Sequence, residues 1–91
     1  MRKQAHFIVS GRVQGVGFRF FVRECAQELK LNGAVRNLPD GTVEAWAEGE
    51  ENTINSLLEL IRQGNGYSRV TDMDLEWSDA AGEWRDFRVV R

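Results

Sequence analysis

The sequence predicts an α+β fold, one antiparallel sheet with two helices on a single face, and three observations carry that prediction. Two segments, Phe18 to Leu29 and Ile54 to Ile61, repeat apolar residues at helical spacing. The segments around them are short and either rich in strand formers or alternate small or apolar with polar residues. Glycines, asparagines and the single proline fall between these segments, where the chain has to turn.

Taken in order, residues 5–12 form the first strand, built on Phe7 to Val9 and ending at Ser10-Gly11. Val13 to Phe18 contains Gly15 and Gly17 and reads as a loop. In the first helix Phe18, Val22, Cys25, Ala26 and Leu29 share one face, with Arg23, Glu24, Gln27, Glu28 and Lys30 opposite. Asn32-Gly33 is its expected stop signal. Ala34 to Leu38 is extended, Pro39-Asp40-Gly41 is a hairpin turn, and Thr42 to Glu48 returns as a strand that Gly49 breaks. Ile54, Leu57, Leu58 and Ile61 line the second helix, Gly64 ends it, and Gly64-Asn65-Gly66 reads as a flexible turn. Met73, Leu75 and Trp77 alternate with Asp72, Asp74 and Glu76, the pattern of a half-buried strand. Ser78 to Gly82 turns the chain, and Phe87 to Val90 is a short last strand expected to join the final hairpin. The order βαββαβ is the split β-α-β, or ferredoxin-like, sandwich.

Bulk properties narrow the function. A chain of 91 residues makes one domain, spanning 1–91, with monomer as the default state. Apolar content of 42% and charged content of 29% suit a soluble globular protein, and the apolar runs are too short to span a membrane. The basic start, Met1-Arg2-Lys3-Gln4, is followed by no signal-peptide core. Cys25 is the only cysteine, which excludes an internal disulfide and suits a reducing, cytoplasmic location. A net charge of -2 disfavours general nucleic-acid affinity. Of the 12 basic residues only Lys3 and Lys30 are lysine; the rest are arginine, the better fork for phosphate oxygens.

Two segments carry candidate chemistry. Gly11-Arg12-Val13-Gln14-Gly15-Val16-Gly17-Phe18-Arg19 joins a strand to a helix start. Backbone N–H groups in such a loop converge into a nest for an anion, and the helix adds free donors and its positive dipole end. Arg19 is placed to lay its guanidinium across the mouth. A plain tight turn has the same glycines, and the residues alone leave both readings open. The string is neither a nucleotide-binding P-loop nor G-x-G-x-x-G. Asn37, in Arg36-Asn37-Leu38-Pro39-Asp40-Gly41, ends a strand, where asparagine is disfavoured. It is either a turn-capping residue or a neutral carboxamide that holds a water by its oxygen and a phosphoryl oxygen by its nitrogen.

Together these segments resemble the acylphosphatase family. Gly11 to Arg19 is similar to its signature G-R-V-Q-G-V-x-F-R throughout. Gly33, Val35, Asn37, Asp40, Gly41, Val43 and Glu44 match a second, G-x-V-x-N-x-x-D-G-x-V-E, and Glu48-Gly49 and Phe87 fit as well. The resemblance covers essentially the whole chain. It implies an enzyme that hydrolyses acyl phosphates to carboxylate and inorganic phosphate, with no cofactor, no metal and no nucleic-acid or membrane partner. Carried over by position, Arg19 is the phosphate-binding catalytic arginine and Asn37 orients the attacking water. The backbone of Gln14, Gly15, Val16, Gly17 and Phe18 is the substrate-binding cradle. Two positions depart from the family pattern: Ala34 stands where a bulky aromatic is common, and Gly17 where glycine is uncommon.

The chemistry is consistent with so few ionisable candidates. The leaving group is a carboxylate with a pKa near about 4, so it departs without a general acid. One histidine, one cysteine and no evident metal cluster are then enough. His6 reads as a sheet-surface or edge histidine, Cys25 as a small core residue, and Asp72, Asp74 and Glu76 as a solvated face. Trp46, Trp77 and Trp84 read as core and edge packing. Three other readings compete. They are a non-catalytic anion- or partner-binding module, an RNA-binding domain on the same plan, and a ligand-sensing domain that dimerises. Occupied catalytic positions weigh against the first, an acidic balance and a missing RNA-binding signature against the second, and dimerisation on size-exclusion chromatography would mark the third.

Overall fold

Alternation along the first strand sends Ala5, Phe7 and Val9 to one face, where all three are buried. A computed structural model describes residues 1–91. Its elements are β1 (Arg2–Arg12), α1 (Phe18–Glu28), β2 (Asn32–Asn37), β3 (Val43–Glu50), α2 (Glu51–Gln63), β4 (Arg69–Asp79) and β5 (Phe87–Val89). β1 lies between β3 and β4, antiparallel to both, and β2 extends the sheet beyond β3, giving the order β4-β1-β3-β2-β5. Phe18, Val22 and Ala26 of α1 and Ile54, Leu57, Leu58 and Ile61 of α2 join Phe7, Val9, Val35, Val43 and Phe87 in one buried core. The helices therefore cover a single face, as the ferredoxin-like plan requires. No helix is long and apolar enough to cross a membrane.

The last strand corrects one expectation. β5 does not form a hairpin with β4. It pairs parallel to β2 at the opposite edge, with Gly33, Ala34 and Val35 facing Phe87, Arg88 and Val89, so the sheet is mixed. The segment before it crosses the sheet's other face. There the Ala81 N–H donates to Glu48 Oε2 at 3.0 Å, and Trp84 packs against Trp46 with ring centroids 6.0 Å apart. At the far edge Phe87 is buried, and Gln27 Nε2 of α1 donates to its carbonyl at 3.2 Å. Burial of one aromatic ring, worth about 1.5–3 kcal/mol, gives so short a strand its place.

Local boundaries also move. β1 starts at Arg2, before residue 5. Asn32-Gly33 does not stop α1 but already lies in β2. Lys30 stops the helix in a left-handed conformation, φ 57°, donating its N–H to Gln27 O while Leu31 N–H donates to Ala26 O. Gly49 does not break β3, which continues to Glu50. It is buried there because Leu31 Cδ2 occupies the space a β-carbon would take.

Candidate active site

The loop from Val13 to Gly17 is pinned at both ends, since Val13 and Phe18 are almost fully buried and Val16 packs against the core. Between these anchors Gly15 and Gly17 are exposed, each with φ near 73°. Gly17 occupies the N-cap position of α1 in the left-handed region and offers no side chain to cap the helix. The first-turn N–H groups are left open. From Gln14 to Phe20 no backbone N–H donates to an acceptor of the chain; the first to do so is Phe21, to Gly17 O at 3.1 Å. A run of such donors at a helix start is an anion-binding arrangement.

Charge around the loop has the matching sign. Arg19 sits in the first turn of α1, half-buried, with its guanidinium 5.9 Å from the Phe20 ring centroid. Arg12 and Arg69 face each other across β1 and β4 where β1 enters the loop. None of the three takes part in a salt bridge. The first turn of α1 contains no acidic residue.

Asn37 closes β2 opposite Val43, which in turn pairs with Val9 near the end of β1. Being two residues beyond buried Val35, Asn37 points to the helix-bearing face. Its Oδ1 is buried and accepts no hydrogen bond within the chain. The turn beyond is capped by Asp40, not Asn37: Asp40 Oδ1 accepts from Thr42 Oγ1 at 2.6 Å and Thr42 N–H at 3.0 Å. These bonds hold the Asp40 carboxyl below its ordinary pKa.

Two side chains join these parts. Gln14 Nε2 donates to Leu38 O at 2.8 Å and Thr42 O at 2.9 Å, fastening the loop to the hairpin that carries Asn37. Asn65 Nδ2 donates to Val16 O at 2.9 Å, fastening the loop from the α2–β4 connection. Gly64-Asn65-Gly66, expected to be merely flexible, thus contains a residue bonded into the site. An asparagine between two glycines signals an Asx turn, here closed by Tyr67 N–H on Asn65 Oδ1 at 3.0 Å, but not the partner of its Nδ2.

Other candidates lie elsewhere. His6 is on the opposite face of the sheet, stacked on Trp46 with centroids 5.3 Å apart. It bonds Glu44 Oε2 at 2.8 Å, and since a carboxylate only accepts, His6 Nε2 carries the proton. Arg36 Nε donates to the other Glu44 oxygen at 2.7 Å. Burial disfavours the Glu44 anion, but the bonds from His6 and Arg36 outweigh it and hold the carboxyl below its ordinary range. Cys25 packs at the margin of the core, where burial, and then Glu28 and Glu24, push its thiol pKa up and away from thiolate chemistry. Asp72, Asp74 and Glu76 are exposed, and no three His, Cys, Asp or Glu residues gather as a metal site. Trp77 is 39% exposed at the β4 edge. Two surface concavities, of ≈ 340 and ≈ 350 Å³, are lined by Arg62 and Val70 to Met73 and by Glu83 to Asp86 with Arg88 and Val90, and no residue of the loop lines either.

Comparison with known proteins agrees with this architecture. The family model described as Acylphosphatase matches residues 5–89. An acylphosphatase of Acaryochloris marina is 46% identical over 92% of this chain and 89% of its own length. One of Methylococcus capsulatus is 45% identical over 98% and 97%. The crystal structure of acylphosphatase from Bacillus subtilis superposes with a TM-score of 0.94 at 44% identity, covering 98% of this chain and 99% of that one. A match of this extent, on a fold whose first strand–helix loop is lined with free N–H donors, means that the chain belongs to the acylphosphatase family.

Proposed function

We propose that the family's reaction, hydrolysis of an acyl phosphate to carboxylate and inorganic phosphate, is carried here by the Gln14–Phe18 backbone, Arg19 and Asn37, without a metal ion. The observation behind this reading is the run of free N–H groups from Gln14 to Phe20 beside an arginine with no carboxylate partner. Backbone donors and the helix dipole hold the equatorial phosphoryl oxygens, and Arg19 bridges two of them. The buried, unpaired Oδ1 of Asn37 accepts a hydrogen bond from the attacking water and so orients it, while its Nδ2 donates to a phosphoryl oxygen. The water oxygen bonds to phosphorus as the bond to the acyl oxygen breaks. The electron pair leaves with the carboxylate, and the water proton passes to a phosphate oxygen or to solvent. Positioning and charge stabilisation do the catalytic work.

The same reading makes residues 1–91 one domain, acting as a cytoplasmic monomer with no nucleic-acid partner. The -2 net charge and the lone cysteine support it. Amide resonances of ¹⁵N-labelled protein, titrated with inorganic phosphate, test the cradle. Shifts confined to Gln14–Phe20, weakened in Arg19→Gln, are expected. A folded protein whose loop amides ignore phosphate contradicts the assignment.

A further inference from the structure

The loop needs more than glycines to present its donors. With φ near 73°, Gly17 also has the mirror-image conformation available at little cost, so the Val16–Gly17 peptide is free to flip unless something holds it. That peptide is trans, as all are in this chain, so its C=O and N–H point in opposite directions. Whatever grips the Val16 carbonyl therefore sets the direction of the Gly17 N–H.

The grip comes from a residue that is distant in sequence. Asn65 Oδ1 accepts the N–H of Tyr67 at 3.0 Å and of Ser68 at 2.9 Å, and the Asn65 N–H donates to Ser68 Oγ at 3.2 Å. The two bonds to Oδ1 fix the carboxamide and turn Nδ2 toward Val16 O at 2.9 Å. The connection itself is anchored by Gly64, whose N–H donates to Leu60 O and Ile61 O at the end of α2. Resting on the cradle reading above, we propose that Asn65 is a positioning residue: it holds the Val16–Gly17 peptide with the Gly17 N–H turned into the phosphate site. Asn65 thereby serves the substrate-binding apparatus from the α2–β4 connection without touching substrate.

The test compares wild type, Asn65→Ala and Ser68→Ala by ¹⁵N amide titration with inorganic phosphate and by hydrolysis of benzoyl phosphate. Ser68→Ala keeps the tether and loses only a turn bond. One hydrogen bond's net worth makes the flipped state about threefold to tenfold more accessible. Asn65→Ala is therefore expected to weaken phosphate binding and raise KM by about that factor, and to shrink the Gly17 amide shift more than those of Gly15 or Phe18. Ser68→Ala is expected to behave as wild type. If Asn65→Ala does not fold, Asn65→Asp serves, because it keeps the acceptor for Tyr67 and Ser68 and removes the donor to Val16. Wild-type affinity and an undiminished Gly17 shift in a folded Asn65 variant overturn the inference and leave the cradle standing. Loop amides silent to phosphate in the wild type overturn both.

Discussion

Replacing Gln14 with alanine separates holding the site together from binding the substrate. The side chain makes two bonds, 2.8 and 2.9 Å, to the carbonyls of Leu38 and Thr42. Both carbonyls keep a second donor after the change, because Gly41 N–H donates to Leu38 O and Leu38 N–H to Thr42 O. No acceptor is orphaned, so each lost bond costs toward the lower end of the usual range. The sum is about 1–2 kcal/mol, or roughly 5–15 °C in Tm for a domain of this size. Catalysis should suffer differently. The hairpin that carries Asn37 loses its tie to the loop, and a misplacement of 1 Å near reacting groups costs up to about 10²-fold in rate. Urea unfolding with benzoyl phosphate kinetics on the same sample makes the check. Lower stability, a fall in kcat of about tenfold or more, and a KM within about threefold of wild type are expected, because the cradle donors are backbone groups. Unchanged stability with weakened phosphate binding refutes the reasoning, since the Gln14 side chain would then contact the ligand instead of the hairpin.

Further perturbations follow from the packing. Gly33→Ala places a β-carbon against the Trp46 carbonyl oxygen and 2.8 Å from Phe87 Cε2, between two strands that do not yield. A loss of at least about 3 kcal/mol is expected by chemical denaturation. Lys30→Gly relieves left-handed strain of about 1–2 kcal/mol against about 0.4–1 kcal/mol of added unfolded-state entropy. Its Tm should therefore rise by a few degrees. Glu44→Gln removes a carboxylate whose folded pKa lies below the ordinary 4.5. Such a group stabilises the fold above that value and stops doing so as pH falls through its lowered folded pKa. Wild type should exceed the variant by about 1–2 kcal/mol at pH 7, with the gap closing below roughly pH 4.5. An equal gap in urea melts at pH 7 and pH 3 contradicts the ion-pair account.

The helices and the strands β1 and β4 were legible because each shows one face to the core. Phe18, Val22 and Ala26 mark a helical stripe as plainly as Ala5, Phe7 and Val9 mark a pleated one. The partner of β5 was not legible. Three residues have no period to read, and their place depends on a segment that crosses the sheet through Ala81 and Trp84. Glycine misled at Gly49, where its meaning is steric room for Leu31, and a lysine left no signal for the left-handed stop at residue 30. At the site, loop composition pointed to the cradle, and the placement of Asn37 on β2 follows from alternation. The contacts of Gln14 and Asn65 join segments 24 and 49 residues apart, and no local pattern encodes such a pairing.

On the proposed mechanism a backbone cradle, Arg19 and Asn37 hydrolyse an acyl phosphate without help from a metal. Benzoyl phosphate and p-nitrophenyl phosphate, each with excess chelator, against wild type, Arg19→Gln and Asn37→Ala test it most directly. Chelator-resistant turnover of benzoyl phosphate alone is expected. Arg19→Gln should fall by at least about 10²–10³-fold with weaker phosphate binding. Asn37→Ala should lose kcat with little change in KM. Near-full turnover by folded Asn37→Ala contradicts the water-orienting role, and no turnover by folded wild type makes the domain an anion-binding module.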